Sequence, residues 1–341
     1  MSTRATAEGS QRKLLIDGRG VLLLAYVRPV AGIDQIFLAE SSDRGRSWRH
    51  AQVTAGSRPG RLPSLATDAE DGVHLVWTEY TPVGRVLYRV RRGGRWEEPV
   101  ALSPPGVYAG VPVVAVAGSR VHVLWYGIRA GAVPAPRRHG SLYEILATRF
   151  EGGRWLTAVV ISPGLPDSIN PSLAAGVGEG AHAAWYQFDG RVYQVRYARF
   201  EGAWLPPRAL TDDRAEHTAV SLEAAGAQYH LVWVEQDGAR RVMTRSFVAG
   251  PLGLPGGVAQ SLSDPGVVAD PVVAAAGPWV VAAWRAGEQV VFRQIRPKQV
   301  AQRLGPGAGP AVAVIGRTAF VVWTRQGARG ADLLLAVVRL R

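Results

Sequence analysis

Four histidines recur at one place in the chain: His74, His122, His182 and His230 each stand three residues before a tryptophan. Imidazoles in such number raise the question of a metal centre. Their spacing argues against it. Equivalent positions of separate repeats lie around a wide ring, whereas zinc holds its nitrogen ligands at about 2.0–2.1 Å. They are expected instead as buried hydrogen-bonding groups between repeats, and no metal or cofactor is expected. A second set of positions differs from repeat to repeat. Two residues beyond each strand-ending aromatic come Arg28, Glu79, Gly127, Gln187, Glu235, Ala286 and Arg325, flanked by Tyr80, Tyr126, Tyr186 and Arg285. Asn170 and Asp270 precede prolines close by. Arginine pairs bidentately with carboxylates, and mixed Arg, Glu and Tyr side chains suit polyhydroxyl ligands. Arg28, Glu79, Tyr126, Tyr186, Glu235, Arg285, Arg325, Asn170 and Asp270 are therefore the candidate ligand-binding residues. A glycoside hydrolase would need two carboxyls about 5–5.5 Å or 6.5–9.5 Å apart. Glu79 and Glu235 are the available pair, but three repeats separate them.

What positions these residues is a repeat. A short apolar strand ends in an aromatic at Tyr26, Trp77, Trp125, Trp185, Trp233, Trp284 and Trp323, at intervals of 51, 48, 60, 48, 51 and 39 residues. Thirteen or fourteen residues earlier a strand begins, marked by Pro63, Pro112, Pro171, Pro271 and Pro310, with Ala219 taking that place in the fifth copy. A third strand follows the aromatic. A Gly-Trp turn comes next at Trp48, Trp96, Trp155 and Trp204, and a last extended piece ends near Ser103, Ser162, Thr211 or Ser263. Four strands repeated at this period specify propeller blades, and seven copies specify seven of them. The expected blades span 12–56, 63–103, 112–162, 171–211, 219–263, 271–304 and 310–341, forming one domain. The seventh copy lacks a fourth strand, so residues 2–9 are expected to close the ring by pairing outside 332–340.

The first copy carries Ser41-Ser42-Asp43-Arg44-Gly45-Arg46-Ser47-Trp48, which resembles the Asp box of the sialidase-like propellers. Shortened echoes stand at Gly152-Gly153-Arg154-Trp155, at 93–96 and at 201–204. The resemblance implies that Ser41, Asp43, Gly45 and Trp48 are structural and lie on the face opposite any ligand site. Sialidases of that family are six-bladed. They carry an Arg-Ile-Pro strand, an arginine triad, a Tyr–Glu nucleophile pair and an aspartic acid/base. Here the first strand reads Arg12-Lys13-Leu14-Leu15-Ile16, and none of that apparatus is placed by motif. The reading is thus a non-catalytic propeller that binds a glycan or a protein partner on its loop face. A propeller-type glycoside hydrolase or polysaccharide lyase is the alternative, and a structural subunit of a larger assembly a third.

Composition sets outer bounds. The chain has 341 residues, 47% of them apolar, and no cysteine, which excludes disulfides and thiolate-bound metals. No apolar run reaches the length of a membrane span. Met1–Gln11 is polar, so no signal peptide is expected, and the compartment stays open between the cytoplasm and secretion after signal removal. The formal charge is +12, which would suit nucleic acid. The arginines nevertheless follow the third strands of successive repeats, as at Arg89, Arg245 and Arg293. A solvated outer edge is expected from that distribution, not a basic stripe, so nucleic acid is not the expected partner. The segment Gly127–Gly140 would add Arg129, Arg137, Arg138 and His139 to the loop face.

Overall fold

The computed structural model describes residues 5–6, 12–80, 83–128, 143–162, 167–248, 256–327 and 330–341. Seven antiparallel sheets follow one another along the chain, and the described residues contain no helix. Blade 1 comprises Leu14–Ile16, Leu22–Val30, Ile33–Ser41 and Arg49–Gln52, ordered from the inside outwards. Blade 4 repeats it as Ser168–Ala175, Ala181–Phe188, Tyr193–Phe200 and Arg208–Ala209. The other blades keep the same order.

The second strands form because their runs of Val, Leu and Ala, capped by an aromatic, are covered on both faces by neighbouring blades. The core accordingly divides into seven clusters, each shared by two adjacent blades. Leu23, Ala25 and Ile36 of blade 1 meet Leu65, Leu75 and Trp77 of blade 2. At the seam, Leu24, Tyr26 and Phe37 of blade 1 meet Ala311, Phe320 and Val322 of blade 7. Trp125, Trp185, Trp233 and Trp284 are at most 2% exposed, so truncating any of them would cost about 3–5 kcal/mol. Trp279, outside the repeat, is only partly buried against the cluster shared by blades 6 and 7, with Arg317 of blade 7 lying 5.3 Å from its ring.

The outer strands are short, two residues long in blades 4 and 5. A side chain extends the ladder there. Thr54, Ser103, Ser162, Thr211 and Ser263 each accept the N–H of a third-strand residue, Ile36, Val86, Ile145, Val195 and Val242 respectively, at 2.8–2.9 Å. A hydroxyl thus replaces a fourth-strand carbonyl where the strand is too short to supply one.

The third-strand arginines are not simply solvated. Arg89, Arg245 and Arg293 each direct Nη1 at a carbonyl of the preceding blade, those of Val53, Leu210 and Leu262, at 2.6, 3.0 and 2.5 Å. Arg91 adds a bidentate pair to Glu40 of blade 1 at 2.6 and 2.8 Å. The expected outer rim of solvated charge is therefore in part a set of latches between blades. Sequence spacing shows each strand but not its lateral neighbour.

Ring closure also differs from expectation. Among the described residues blade 7 has three strands, and nothing pairs outside Gly330–Arg339. Ala5 and Thr6 instead lie buried between blades 1 and 7. The carbonyl of Ala5 accepts Val27 N–H at 3.1 Å, and Thr6 shares a hydroxyl contact of 2.6 Å with Thr324. The rest of residues 2–9 lies outside the described residues. On the opposite face, the Ser41–Trp48 turn is held by Asp43, whose Oδ1 accepts from Ser41 Oγ and Ser47 N–H at 2.8 and 2.9 Å. Gly45 sits at φ +84°, and a Cβ there would stand 2.2 Å from Leu335 of blade 7. The left-handed backbone favours glycine, and a side chain there would also have to displace the Leu335 methyl.

The histidines are buried, but their partners are mostly local. His74 bonds Tyr88 and Asp68 of its own blade, and His230 bonds Ser246. His182 bonds Tyr197 within blade 4 and stacks at 3.8 Å on Tyr229 of blade 5. Only His122 crosses by hydrogen bond, to the Glu179 carbonyl at 3.2 Å. Burial pulls His122, His182 and His230 down to about 4. Each stays neutral in the fold while the unfolded chain begins to protonate near 6.5. Stability due to these groups is therefore complete above pH 6.5 and falls until pH reaches about 4. Urea unfolding across that window is expected to lose about 1.4 kcal/mol per pH unit for each histidine. His182→Gln should reduce that slope by one proton, and a slope unaltered by the substitution would contradict the assignment.

Candidate functional site

One end of the channel carries the loops that follow the second strands and the residues that open the first strands. Each first strand from blade 2 to blade 7 bulges here, two residues of it facing a gap in its partner's register. The bulge residue has a left-handed backbone in every case: Leu62, Val111, Asn170, Ala219, Asp270 and Gly309, at φ between 50 and 59°. Such a residue costs about 1–3 kcal/mol unless the surroundings impose it. Recurrence in six blades makes the bulge part of the fold. The fifth copy thereby shifts by one residue: Ala219 is the bulge, and Val220, not Ala219, stands where the other blades have proline. Asn and Asp tolerate this backbone best, which gives Asn170 and Asp270 a local reason to be where they are.

Three of the candidate residues converge. Asp270, Arg285 and Arg325 line one cavity of about 520 Å³ between blades 6 and 7, together with Glu288, Thr324 and Gln326. Its floor is backbone-rich, running through Pro306-Gly307-Ala308-Gly309. Arg285 sits 3.8 Å from Asp270 Oδ2 and donates to the Gly287 carbonyl at 3.0 Å. Arg325 pairs with Asp332 at 3.0 Å. Both guanidinium groups remain a third or more exposed, 33% and 44%. Each therefore keeps donors turned to solvent, and its pairing is weak enough to yield to a ligand.

The remaining candidates stand apart. Arg28 lays its guanidinium 4.9 Å from the Phe37 ring in its own blade and does not line the cavity. Glu79 lies between Arg58 and Arg85, at 3.4 and 3.0 Å. Next to it Arg61 pairs with Asp34 at 2.7 Å and lies over Tyr80. Glu235 is half-buried in blade 5, opposite Arg241 in the sheet register, so Glu79 and Glu235 occupy separate blades. Tyr126 belongs to an aromatic group with Tyr108 and Tyr143, its hydroxyl 3.1 Å from that of Tyr108. Tyr186 accepts from Asn170 Nδ2 and meets Tyr193 edge-on, and Tyr193 donates to Asp167 at 2.8 Å. Arg129, Arg137, Arg138 and His139 fall outside the described residues.

Sequence reasoning missed a chain in blade 5. Trp233 Nε1 donates to His217 Nδ1 at 3.0 Å, which leaves Nε2 to donate to Asp213 at 2.9 Å. Burial works to raise the Asp213 carboxyl, but His217 and the Ala215 N–H hold it below its usual value. His217 is 1% exposed, so the chain orients a loop and presents no imidazole to solvent. His217 lies outside the register of the other histidines, which is why the repeat did not reveal it.

No protein-family model matches the chain, and no curated protein matches it in sequence. Its likeness to known proteins lies in the fold. A polysaccharide lyase described as an ulvan lyase, bound to -[GlcA(1-4)Rha3S]-, superposes with TM-score 0.63 at 11% identity, covering 98% of this chain and 93% of that one. A Hadza microbial sialidase gives 0.56 at 10% identity, over 96% of this chain and 65% of its own. A Dyadobacter fermentans protein of unknown function gives 0.60 at 10%, over 84% and 96%. These likenesses show the propeller fold, as the blade count and strand order already indicated.

The buried tyrosines have a spectroscopic signature. Burial raises the phenols of Tyr26, Tyr88, Tyr126, Tyr193, Tyr197 and Tyr229 above their ordinary value. Their contribution to stability is whole below pH 10 and is lost as pH rises through the shifted values. Alkaline titration of the folded protein near pH 10 is therefore expected to leave six of the ten tyrosines unionised. Full phenolate absorbance before unfolding would refute the burial.

Proposed function

We propose that the protein is a carbohydrate-active propeller that recognises an anionic saccharide at the cavity between blades 6 and 7. The observation that carries this reading is the convergence of Arg285 and Arg325 on one open cavity. Each retains donors for a carboxylate or sulfate, and Asp270 and Glu288 are available to sugar hydroxyls. A planar fork of N–H groups suits a carboxylate better than any point charge does. A volume of about 520 Å³ fits within the range of small-ligand sites. The fold likeness to a lyase crystallised with an anionic saccharide supports the substrate class.

Binding without turnover is the reading the cavity supports best. Among the described residues that line it there is no tyrosine, histidine or lysine to abstract a proton beside a uronate. Tyr126 lies on blade 3, and burial holds its phenol protonated, which makes it a poor base. The second reading, a polysaccharide lyase, draws on the lyase-like fold. The carboxylates available as a base in the lining would then be Asp270, which faces Arg285, and Glu288.

A glycan array comparing uronate-bearing, sulfated and neutral oligosaccharides tests the proposal. Arg325→Ala is expected to weaken the anionic ligands about tenfold or more, while Arg28→Ala leaves them unchanged. Equal binding of neutral and acidic glycans, or indifference to Arg325→Ala, would remove the basis for the site. Incubation with uronate polysaccharides should leave the ultraviolet absorbance flat. A growing absorbance of unsaturated product would establish the lyase instead, and turnover of a sialoside would contradict the non-catalytic reading.

A further inference from the structure

The seven inner strands meet at a layer where one residue of each blade occupies the same register, directly across from the residue before the strand-ending aromatic. Blades 1, 2, 4 and 5 place Lys13, Ser64, Ser172 and Ser221 there, and blades 3, 6 and 7 place Val113, Val272 and Ala311. Together they line a cavity of about 30 Å³ in the channel. That is room for one or two water-sized particles. Lys13 is 2% exposed, Ser64 1%, Ser172 3% and Ser221 6%.

The chemistry of this arc is one-sided. Ser172 Oγ accepts the Leu222 N–H at 2.9 Å, and Ser221 Oγ accepts the Val273 N–H at 3.4 Å. Each hydroxyl then has its own proton left to donate. Ser64 Oγ has no hydrogen-bond partner in the protein, although it is buried, and a buried polar atom of that kind requires an account. The charged residues of the lining are Arg12, Lys13 and Glu223. The carboxylate is occupied, since Arg12 Nη2 bonds both its oxygens at 2.9 and 3.0 Å. Hydroxyl protons and an ammonium around a void of one-ion size describe a cradle for a small anion, not for a cation.

We infer that the channel binds a monatomic anion of halide size, held by Lys13, Ser64, Ser172 and Ser221. Valine and alanine on the other three blades offer nothing to an ion, so it sits toward the polar arc. A volume of about 30 Å³ suits a monatomic anion better than a polyatomic one such as sulfate. The ion ties the inner strands of four blades to one centre and gives Ser64 its partner.

Crystals of the whole chain grown in bromide, with data collected at the bromine edge, locate the ion directly. The expected result is an anomalous peak in the channel within hydrogen-bond reach of Ser64 Oγ and Lys13 Nζ. In solution, Tm is expected to rise with the logarithm of chloride when chloride replaces gluconate from about 10 mM to about 300 mM at constant ionic strength. Ser64→Ala should weaken that dependence and Lys13→Met abolish it. Should Lys13→Met not fold, the Ser64→Ala comparison decides alone, because that change removes only a hydroxyl. Arg325→Ala, at the other site, should leave the dependence intact. A channel holding water alone, or equal Tm in chloride and gluconate, overturns the inference.

Discussion

No blade owns its core. Every hydrophobic cluster is shared by two adjacent sheets, so a single sheet would expose its apolar faces, and only the closed ring covers all of them. This constraint explains why the aromatic at the end of each second strand is so nearly constant. The ring is the widest group that can bridge from one sheet to the next, and its position sets how far apart the sheets stand. The arginine latches and the short histidine networks follow from the same demand. Polar groups caught between sheets find partners there, the histidines out of reach of water and the arginines half-buried.

The two ends of the ring use that frame differently. At one end the Ser41–Trp48 turn of blade 1 presses on Leu335 of blade 7, where a side chain at Gly45 would collide. At the other end the bulges hold the first-strand residues in a strained backbone, and the loops beside them are free to vary. Arg285 and Arg325 come together there because blades 6 and 7 are neighbours. Their partners Asp270 and Asp332 pair with the two guanidinium groups without burying them. The tyrosines of blades 3 and 4 are by contrast engaged with one another, so the loop face has an open charged side and a closed aromatic side.

Much of the architecture could be read from the chain, for a physical reason. A strand covered on both faces must be apolar throughout, and Val, Leu and Ala followed by Trp leave an unmistakable run. The prolines could be read because five of the six bulges precede one. What could not be read depends on neighbours that sequence spacing does not encode. The bulge adds a residue to one strand, which moved the fifth copy's register from Ala219 to Val220. Arg89, Arg245 and Arg293 looked solvent-facing because their carbonyl partners belong to the previous repeat. Arg28 occupies the same repeat position as Arg325. The Phe37 ring beneath it, a feature of blade 1 alone, draws its side chain elsewhere. Ala5 and Thr6 joined the correct two blades but on a different edge, fixed by the Thr6–Thr324 hydroxyl contact.

The outer strands carry a consequence for motion. Blades 4 and 5 end in outer strands of two residues, exposed along their length and backed by a single hydroxyl bond. The inner strands are gripped from both sides. Local opening should therefore begin at the circumference and lose amplitude toward the axis, with amide exchange graded by radius. The molecule is stiffest where it is narrowest, so a partner that grasped the rim could ride on breathing edges while the loop-face cavity kept its shape.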